Sequence, residues 1–310
     1  MKRIDIKAYL AWASVCFFWG TTYLAIAIGV KTLPVALFSG TRFAIAGLIL
    51  LLICSLKGYS LPKGREWLHL GFVGFLLITS ANALLVWAEK FIPSGTTALL
   101  VATGPFWMAA MESFTTGTRL SLRGYAGIGV GFIGLALLLA PSIGADLELS
   151  FIYAFAALQL GAFCWSFGSM HSKKYPVKTS PLVGAGAQML LGGLMLTGIG
   201  VIKGDLPLFH FNQEAAIVYL YLIVFGSIVG YGAYIYALDK LPAAKVSTYA
   251  YINPVIAVLL GWVWLGEQLN WRILTAMAVI LFGVALTKTA SVSNHSTEER
   301  KIDDDSLCPQ

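Results

Sequence analysis

Ten apolar stretches of about 20 residues follow one another between residues 9 and 288. A helix needs roughly 20 mostly apolar residues to cross a lipid bilayer. The chain is 58% hydrophobic and 12% charged, and a chain of 310 residues cannot hide that much apolar surface from water. We therefore predict an all-α membrane protein with ten transmembrane helices. The predicted spans are 9–29, 34–56, 67–88, 97–116, 123–141, 151–171, 181–202, 214–237, 245–264 and 271–288.

The distribution of Lys and Arg predicts how these spans are oriented. Short cytoplasmic loops carry an excess of basic residues. If the amino terminus is cytoplasmic, sixteen Lys and Arg fall on that side and four on the other, and Arg42 lies within a span. One helix more or fewer would destroy this bias, so both termini are predicted to be cytoplasmic. The basic residues are scattered singly and form no patch for nucleic acid. The four on the opposite side are Lys31, Lys90, Lys203 and Arg272.

Two stretches of the chain, residues 87–106 and 236–255, repeat the same arrangement of prolines. Pro93 and Pro105 are matched by Pro242 and Pro254, each 149 positions later. Trp19 is matched by Trp165 at a similar offset. The sequence therefore predicts two related halves, and Gly-rich sequences at 127–131 and 226–230 are predicted to let helices pack closely.

Each predicted half has five spans, so the second half enters the membrane from the opposite side. Such inverted repeats are characteristic of secondary transporters that work by alternating access. The predicted units are residues 1–145, residues 146–290, and a polar tail, 291–310. The tail has little apolar surface to bury, so we expect it to be disordered and cytoplasmic.

The stretch LPAAKVSTYAYINPVIAVLLGWVWLGEQLNW, residues 241–271, resembles EamA-type members of the drug/metabolite transporter superfamily. FWGTTY at 18–23 and TRFAIAG at 41–47 resemble the first two helices of that family, and the likeness covers about residues 8–288. The resemblance implies ten helices in two EamA-like halves, cytoplasmic termini and export of small metabolites or amino acids across a bacterial inner membrane. One departure is that the first half has Gly117-Thr118 where the second half keeps Gly266-Glu267.

Pro105 and Pro254 are predicted to kink their helices near the middle of the bilayer. Each proline removes one backbone hydrogen bond and displaces the carbonyl four residues earlier, at Val101 or Ala250. In lipid a freed carbonyl must face protein, water or ligand. The kinks can frame a central cavity, serve helix packing, or do both.

Ionisable residues inside a span are candidates for function because their burial is costly. At 1.5 Å per residue, Arg42 lies roughly 12 Å below the outer boundary, Asn82 roughly 9 Å and Glu112 roughly 22 Å. Asn82 is therefore the better partner for Arg42. Arg42 either binds a carboxylate or phosphate of the substrate or clamps helices together. Glu112 is a candidate for proton coupling, or is hydrated or paired with Arg119 or Arg123.

Aromatic residues placed away from the interfacial belts predict a substrate cavity. Aromatic walls with a few amide and hydroxyl groups suit apolar, aromatic or cationic small molecules. The alternative for each residue is helix packing or contact with lipid. The candidate substrate-binding residues are Trp19, Tyr23, Arg42, Asn82, Trp107, Trp165, Tyr231, Tyr234, Tyr249, Tyr251 and Asn253.

Together these features predict a secondary active transporter of small metabolites such as amino acids, or of amphipathic and aromatic compounds, and the resemblance alone implies that it exports them. No phosphate-binding Walker loop and no metal-like spacing of Cys or His occurs in the sequence, so no cofactor, metal or catalytic residue is expected. The expected partners are a small-molecule substrate and the lipid bilayer. An importer or exchanger of carboxylated or phosphorylated metabolites is the alternative, and a multi-span membrane enzyme is a further one. Substrate, coupling ion and oligomeric state stay open.

Overall fold

A computed structural model describes residues 5–116, 122–143 and 149–286, excluding the side chains of 112–116, 139–143 and 244. The regular structure in these residues is entirely helical, as predicted. Six helices are long and apolar enough to cross a membrane, and three further apolar helices are shorter. The six are α1 (Ile6–Gly29), α2 (Val35–Leu56), α3 (Arg65–Ala88), α7 (Leu149–Lys174), α8 (Pro181–Ile202) and α9 (Gln213–Lys240).

The other helices lie where the remaining spans are predicted. Two of these spans are each occupied by a pair of helices that is separated by a short break in the helical structure. The predicted tail at 291–310 lies outside the described residues. The helices are α4 (Ser94–Val101), α5 (Gly104–Thr116), α6 (Leu122–Ile143), α10 (Ala243–Val246), α11 (Tyr249–Leu265) and α12 (Trp271–Leu286).

The two prolines predicted to kink helices lie differently with respect to the interruptions. Pro105 is the second residue of α5, directly after the break that follows α4. A proline disfavours the helical conformation of the residue before it, whereas it is tolerated in a first helical turn. Pro254 lies inside α11, and the break in that half of the chain comes earlier, between Val246 and Tyr249.

Wide π-helical turns occur in the middle of α3 and α9. They cover Phe75–Asn82 and Leu222–Tyr231, so their first residues are 147 positions apart. Segments of this kind are rare in helices and occur often at functional sites. Nothing in the hydrophobic pattern predicted them.

Glycines allow α2 and α8 to pack side by side in opposite directions. A Cβ atom on Gly40 would lie 2.5 Å from the backbone nitrogen of Thr197, and one on Gly47 would lie 2.6 Å from the carbonyl oxygen of Gly186. A Cβ on Gly193 would lie 2.7 Å from the carbonyl oxygen of Gly40. The two backbones are therefore too close for any side chain at these positions, as in other small-residue contacts between membrane helices.

The predicted packing role of the other glycine-rich sequences is also confirmed. A Cβ on Gly283 of α12 would lie 2.7 Å from the carbonyl oxygen of Gly127 and 2.9 Å from the Cα of Gly131, both on α6. In α9, a Cβ on Gly226 would lie 3.1 Å from the methyl group of Thr22 on α1.

Contacts between loops define two ends of the helix bundle. At one end, Lys173 Nζ donates to the carbonyl oxygens of Leu238 (2.8 Å) and Leu241 (2.7 Å). At the other end, a groove of about 740 Å³ is lined by Lys31, Lys90 and Lys203. Glu89, directly after α3, lies at this end, which is called the Glu89 end. Three of the four cations assigned to one membrane side therefore lie together, away from the Lys173 end.

Candidate functional site

A cavity of about 110 Å³ lies at the centre of the bundle. Helices from both predicted halves line it, and the residues flanking the break between α4 and α5 form part of its wall. Both π-helical segments also contribute. The lining residues are Trp19, Thr22, Tyr23, Ile26, Arg42, Phe43, Ala81, Asn82, Leu85, Val101, Gly104, Leu158, Gly161, Ala162, Trp165, Gly226, Tyr231, Tyr249 and Asn253.

The structure brings eight of the eleven candidate binding residues together around this cavity. They come from helices that are far apart in the sequence, so the fold alone creates their proximity. The three candidates outside the lining are Trp107, Tyr234 and Tyr251, whereas the eight that line it are Trp19, Tyr23, Arg42, Asn82, Trp165, Tyr231, Tyr249 and Asn253.

Trp19 is at the centre of an aromatic wall. Its ring meets those of Trp165 and Tyr249 edge to face, with centroids 5.3 Å apart in both pairs. The Trp19 indole Nε1 donates to the carbonyl oxygen of Gly226 at 3.1 Å, within the π-helical part of α9. A Cβ on Gly230 would lie 2.5 Å from the same nitrogen, so the absence of a side chain there makes room for the indole.

Tyr234 supports this wall from behind. Its hydroxyl accepts a hydrogen bond from Trp165 Nε1 (3.1 Å) and lies 2.6 Å from Ser169 Oγ. The Tyr231 hydroxyl donates to Gln188 Oε1 at 2.8 Å. These bonds satisfy buried polar atoms that would otherwise be costly, and they fix the orientation of the rings.

Arg42 provides positive charge at the cavity. Its side chain is 2% exposed, and its Nη2 donates to Asn82 Oδ1 at 3.0 Å, the partner that the depth comparison favoured. The guanidinium also lies over the rings of Phe43 (4.6 Å) and Phe38 (5.7 Å), which offer cation–π attraction. Arg42 Nε has no hydrogen-bond partner among the described residues, so the site can accept one more acceptor group.

Glu89 is a buried acid that the sequence reasoning missed. It lies one residue beyond the end of α3, is 7% exposed, and neither carboxyl oxygen has a donor among the described residues. Burial and the nearby Glu267 raise the pKa of the Glu89 carboxyl well above its usual value, and Arg42 opposes this rise. The loop before Pro93 is short and flanked by large apolar side chains, which is the signal that could have identified Glu89 as buried.

A second missed residue, Gln159 of α7, bridges the break between α4 and α5. Its Oε1 accepts from Thr103 Oγ1 (3.1 Å) and Trp107 Nε1 (3.4 Å), and its Nε2 donates to the carbonyl oxygen of Leu100 (3.4 Å). Ser166 Oγ donates to the carbonyl oxygen of Gly104 at 3.2 Å. Side chains of α7 thus reach carbonyl oxygens on both sides of Val101, the residue whose carbonyl was expected to lose its helical hydrogen bond.

Asn253 joins α11 to α1 next to Pro254. With its amide oriented to satisfy both contacts, the nitrogen donates to the carbonyl oxygens of Cys16 (2.8 Å) and Tyr249 (3.2 Å). Glu112, the predicted coupling residue, belongs to α5. Its side chain, and Arg119, lie outside the described residues.

Comparison with known proteins identifies the family. The model of the EamA-like transporter family matches residues 6–140 and 152–289. The chain belongs to this EamA-like transporter family.

Relatives of this EamA-like protein carry transporter names. The chain is 34% identical over 269 residues, 86% of both chains, to the "Uncharacterized inner membrane transporter YedA" of Escherichia coli strain K12. It is 28% identical to the "Probable amino-acid metabolite efflux pump" of Salmonella typhimurium, covering 89% of this chain and 95% of that one. A solved structure with 20% identity, covering 90% of this chain and 96% of that one, superimposes with a TM-score of 0.68, which shows a shared fold.

Family membership and the long apolar helices together make this chain a multi-pass membrane transporter. The central cavity therefore lies inside an EamA-like transporter. It combines aromatic faces with one guanidinium and two amide groups.

Proposed function

We propose that the chain is a secondary active exporter of small metabolites, such as amino acids or amphipathic and aromatic compounds, and that the central cavity is its substrate site. The observation that carries this proposal is the space lined by both predicted halves, with Trp19, Trp165 and Arg42 in its walls. Solutes can bind there between the helices.

The size and chemistry of the cavity favour a small solute. Its volume of about 110 Å³ is well below the roughly 300–1,000 Å³ of pockets for drug-sized ligands. Edge-to-face rings offer apolar contact and cation–π attraction, whereas Arg42 and Asn82 can bind a carboxylate. An amino acid with an apolar side chain satisfies both parts of the site.

Alternating access by two inverted five-helix halves is the mechanism we propose. The opposed packing of α2 against α8, the matched π-helical segments and the two stretches that match the family model support it. The halves correspond to 1–145 and 146–290. On this proposal the protein lies in a bacterial inner membrane with both termini in the cytoplasm, and the Glu89 end faces outward.

An importer or exchanger of carboxylated metabolites is the second candidate. Arg42 is the observation that favours it, because a buried guanidinium with an unused donor is suited to an anionic group. Direction of transport separates the two candidates, whereas the site chemistry does not.

The test is uptake of labelled amino acids and cationic amphipathic compounds into proteoliposomes that contain the purified protein. We expect Arg42→Gln to lower uptake of carboxylated substrates at least tenfold, since a charge-assisted bond is worth about 1.5–3 kcal/mol. Arg272→Gln, which changes an exposed arginine beside Trp271, is the matched control and should leave uptake unchanged. No uptake of any compound in the panel by the wild-type protein, or equal uptake by Arg42→Gln and Arg272→Gln, would contradict the proposal.

A further inference from the structure

Two side chains of opposite charge are buried in the bundle without being paired. Among the Lys, Arg, Asp and Glu side chains that the structure describes, Arg42 and Glu89 are the two that are buried, at 2% and 7% exposure. Their charges interact electrostatically, but they form no ion pair within 4.0 Å. Arg42 instead donates to Asn82, and no donor within the described part of the chain reaches Glu89.

This arrangement fits a neutral Glu89. An ionised carboxylate that is buried without donors is strongly unfavourable, so the protonated form prevails until a cation approaches. Arg42 is the buried cation available on α2, and its Nε is unused. Glu267, beyond α11, places a like charge near Glu89, and neither carboxyl oxygen of Glu89 accepts a hydrogen bond from the Tyr23 hydroxyl on α1. Lys90, next along the chain, is exposed.

We propose that Glu89 is a proton-binding site whose charge selects the partner of Arg42. With Glu89 protonated, Arg42 bonds to Asn82 and faces the cavity. When Glu89 loses its proton to water, the carboxylate draws Arg42 into an ion pair and away from Asn82. One proton is released when the pair forms, and one is taken up when it breaks.

The consequence for transport, which rests on the proposed function, is linkage between protons and substrate. A substrate carboxylate binds the arrangement in which Arg42 faces the cavity, and that arrangement requires protonated Glu89. Binding of either therefore favours binding of the other, because linkage between two sites is reciprocal. If both are carried, proton and substrate cross the membrane in the same direction, so export by this route is driven by an outward substrate gradient.

Infrared difference spectroscopy of the purified protein in lipid nanodiscs tests the proton site without any substrate. The C=O stretching band of a protonated carboxyl group is followed as pH is raised. We expect the wild-type band to persist at neutral pH and to disappear at higher pH, and we expect Glu89→Gln to lack this titrating band. Glu214→Gln, an exposed acid at the start of α9, should retain it. A titrating band that is unchanged in Glu89→Gln would overturn the proposal.

Two further variants test the link to Arg42. Arg42→Gln removes the cation that stabilises ionised Glu89, so the band should disappear at a higher pH than in the wild type, whereas Arg272→Gln should not shift it. An unshifted midpoint in Arg42→Gln would overturn the switch. Glu89→Asp keeps a carboxyl on a shorter side chain and should titrate at a changed midpoint, and an identical band and midpoint would contradict the assignment.

The titration and the transport assay test the proton site and the export proposal separately. A protein that titrates as expected but transports no compound in the panel supports the proton site and contradicts the export proposal. A protein that transports but lacks the Glu89 band contradicts the proton site and supports the export proposal.

Discussion

At the scale of single residues, Glu267 connects the two predicted halves by capping a helix. Its carboxylate accepts from the backbone nitrogen (2.7 Å) and hydroxyl (2.6 Å) of Ser94 and from the backbone nitrogen of Gly95 (3.0 Å). These groups begin α4, where free N–H groups and the helix dipole favour negative charge. The family-like Gly-Glu pair therefore has a structural role that the sequence did not show.

Replacing this cap should destabilise the fold. We expect Glu267→Gln to lower the free energy of unfolding by about 0.5–2 kcal/mol, because it removes the charge and one acceptor. The measurement is the thermal unfolding midpoint in detergent. Gln268→Ala, at the exposed neighbouring position, is the control, and an equal shift in both variants would contradict the capping role.

The sequence predicted the residues that line the cavity better than it predicted the burial of Glu89. Polar and aromatic residues inside apolar spans are visible in the sequence, and eight of them face one cavity. Glu89 and Gln159 were missed for different reasons. Glu89 belongs to a loop, where charge normally means exposure, and the role of Gln159 depends on a helix break that the hydrophobic pattern does not locate.

At the scale of helices, glycine contacts set the distance between α2 and α8. Gly193 and Gly198 lie on the same helix, but only the first faces another backbone. A Cβ on Gly193 would lie 2.9 Å from the Cα of Ala44, whereas a Cβ on Gly198 would meet no atom within 4 Å.

This difference gives a matched pair of variants. We expect Gly193→Ala to destabilise the protein by about 1–3 kcal/mol, the usual effect of overpacking. We expect Gly198→Ala to leave stability unchanged or raise it slightly, because alanine favours a helix more than glycine does. Thermal unfolding of the two proteins in the same detergent measures the difference. Equal midpoints would show that α2 and α8 do not depend on this close contact.

The hydrophobic pattern located helices more reliably than it located their irregularities. Helices occur at every predicted span within the described residues, because apolar runs in lipid must satisfy their backbone groups internally. The break after Val246 and the π-helical segments were not predicted in position, whereas the break after Val101 lies beside the predicted Pro105 kink. They depend on side chains from other helices, such as the contact of Gln159 with Leu100, and single-sequence periodicity carries no information about those partners.

At the scale of the whole molecule, the transport proposal depends on one cavity that communicates with each membrane face in turn. In the described structure the cavity is lined by helices from both predicted halves. On this proposal, the breaks between α4 and α5 and between α10 and α11 are places where the two halves exchange conformations. Orientation of the halves and alternation of access stay predictions.

Thiol accessibility of Thr22 tests this claim most directly. Thr22 lines the cavity, and Thr22→Cys replaces its hydroxyl and methyl groups with one thiol. The variant is made in a background in which Cys16, Cys54, Cys164 and Cys308 are replaced by Ala. A membrane-impermeant thiol reagent is then applied to right-side-out and inside-out vesicles. We predict labelling from both faces and protection from both by a transported substrate, whereas labelling from one face alone under all substrate conditions would contradict alternating access.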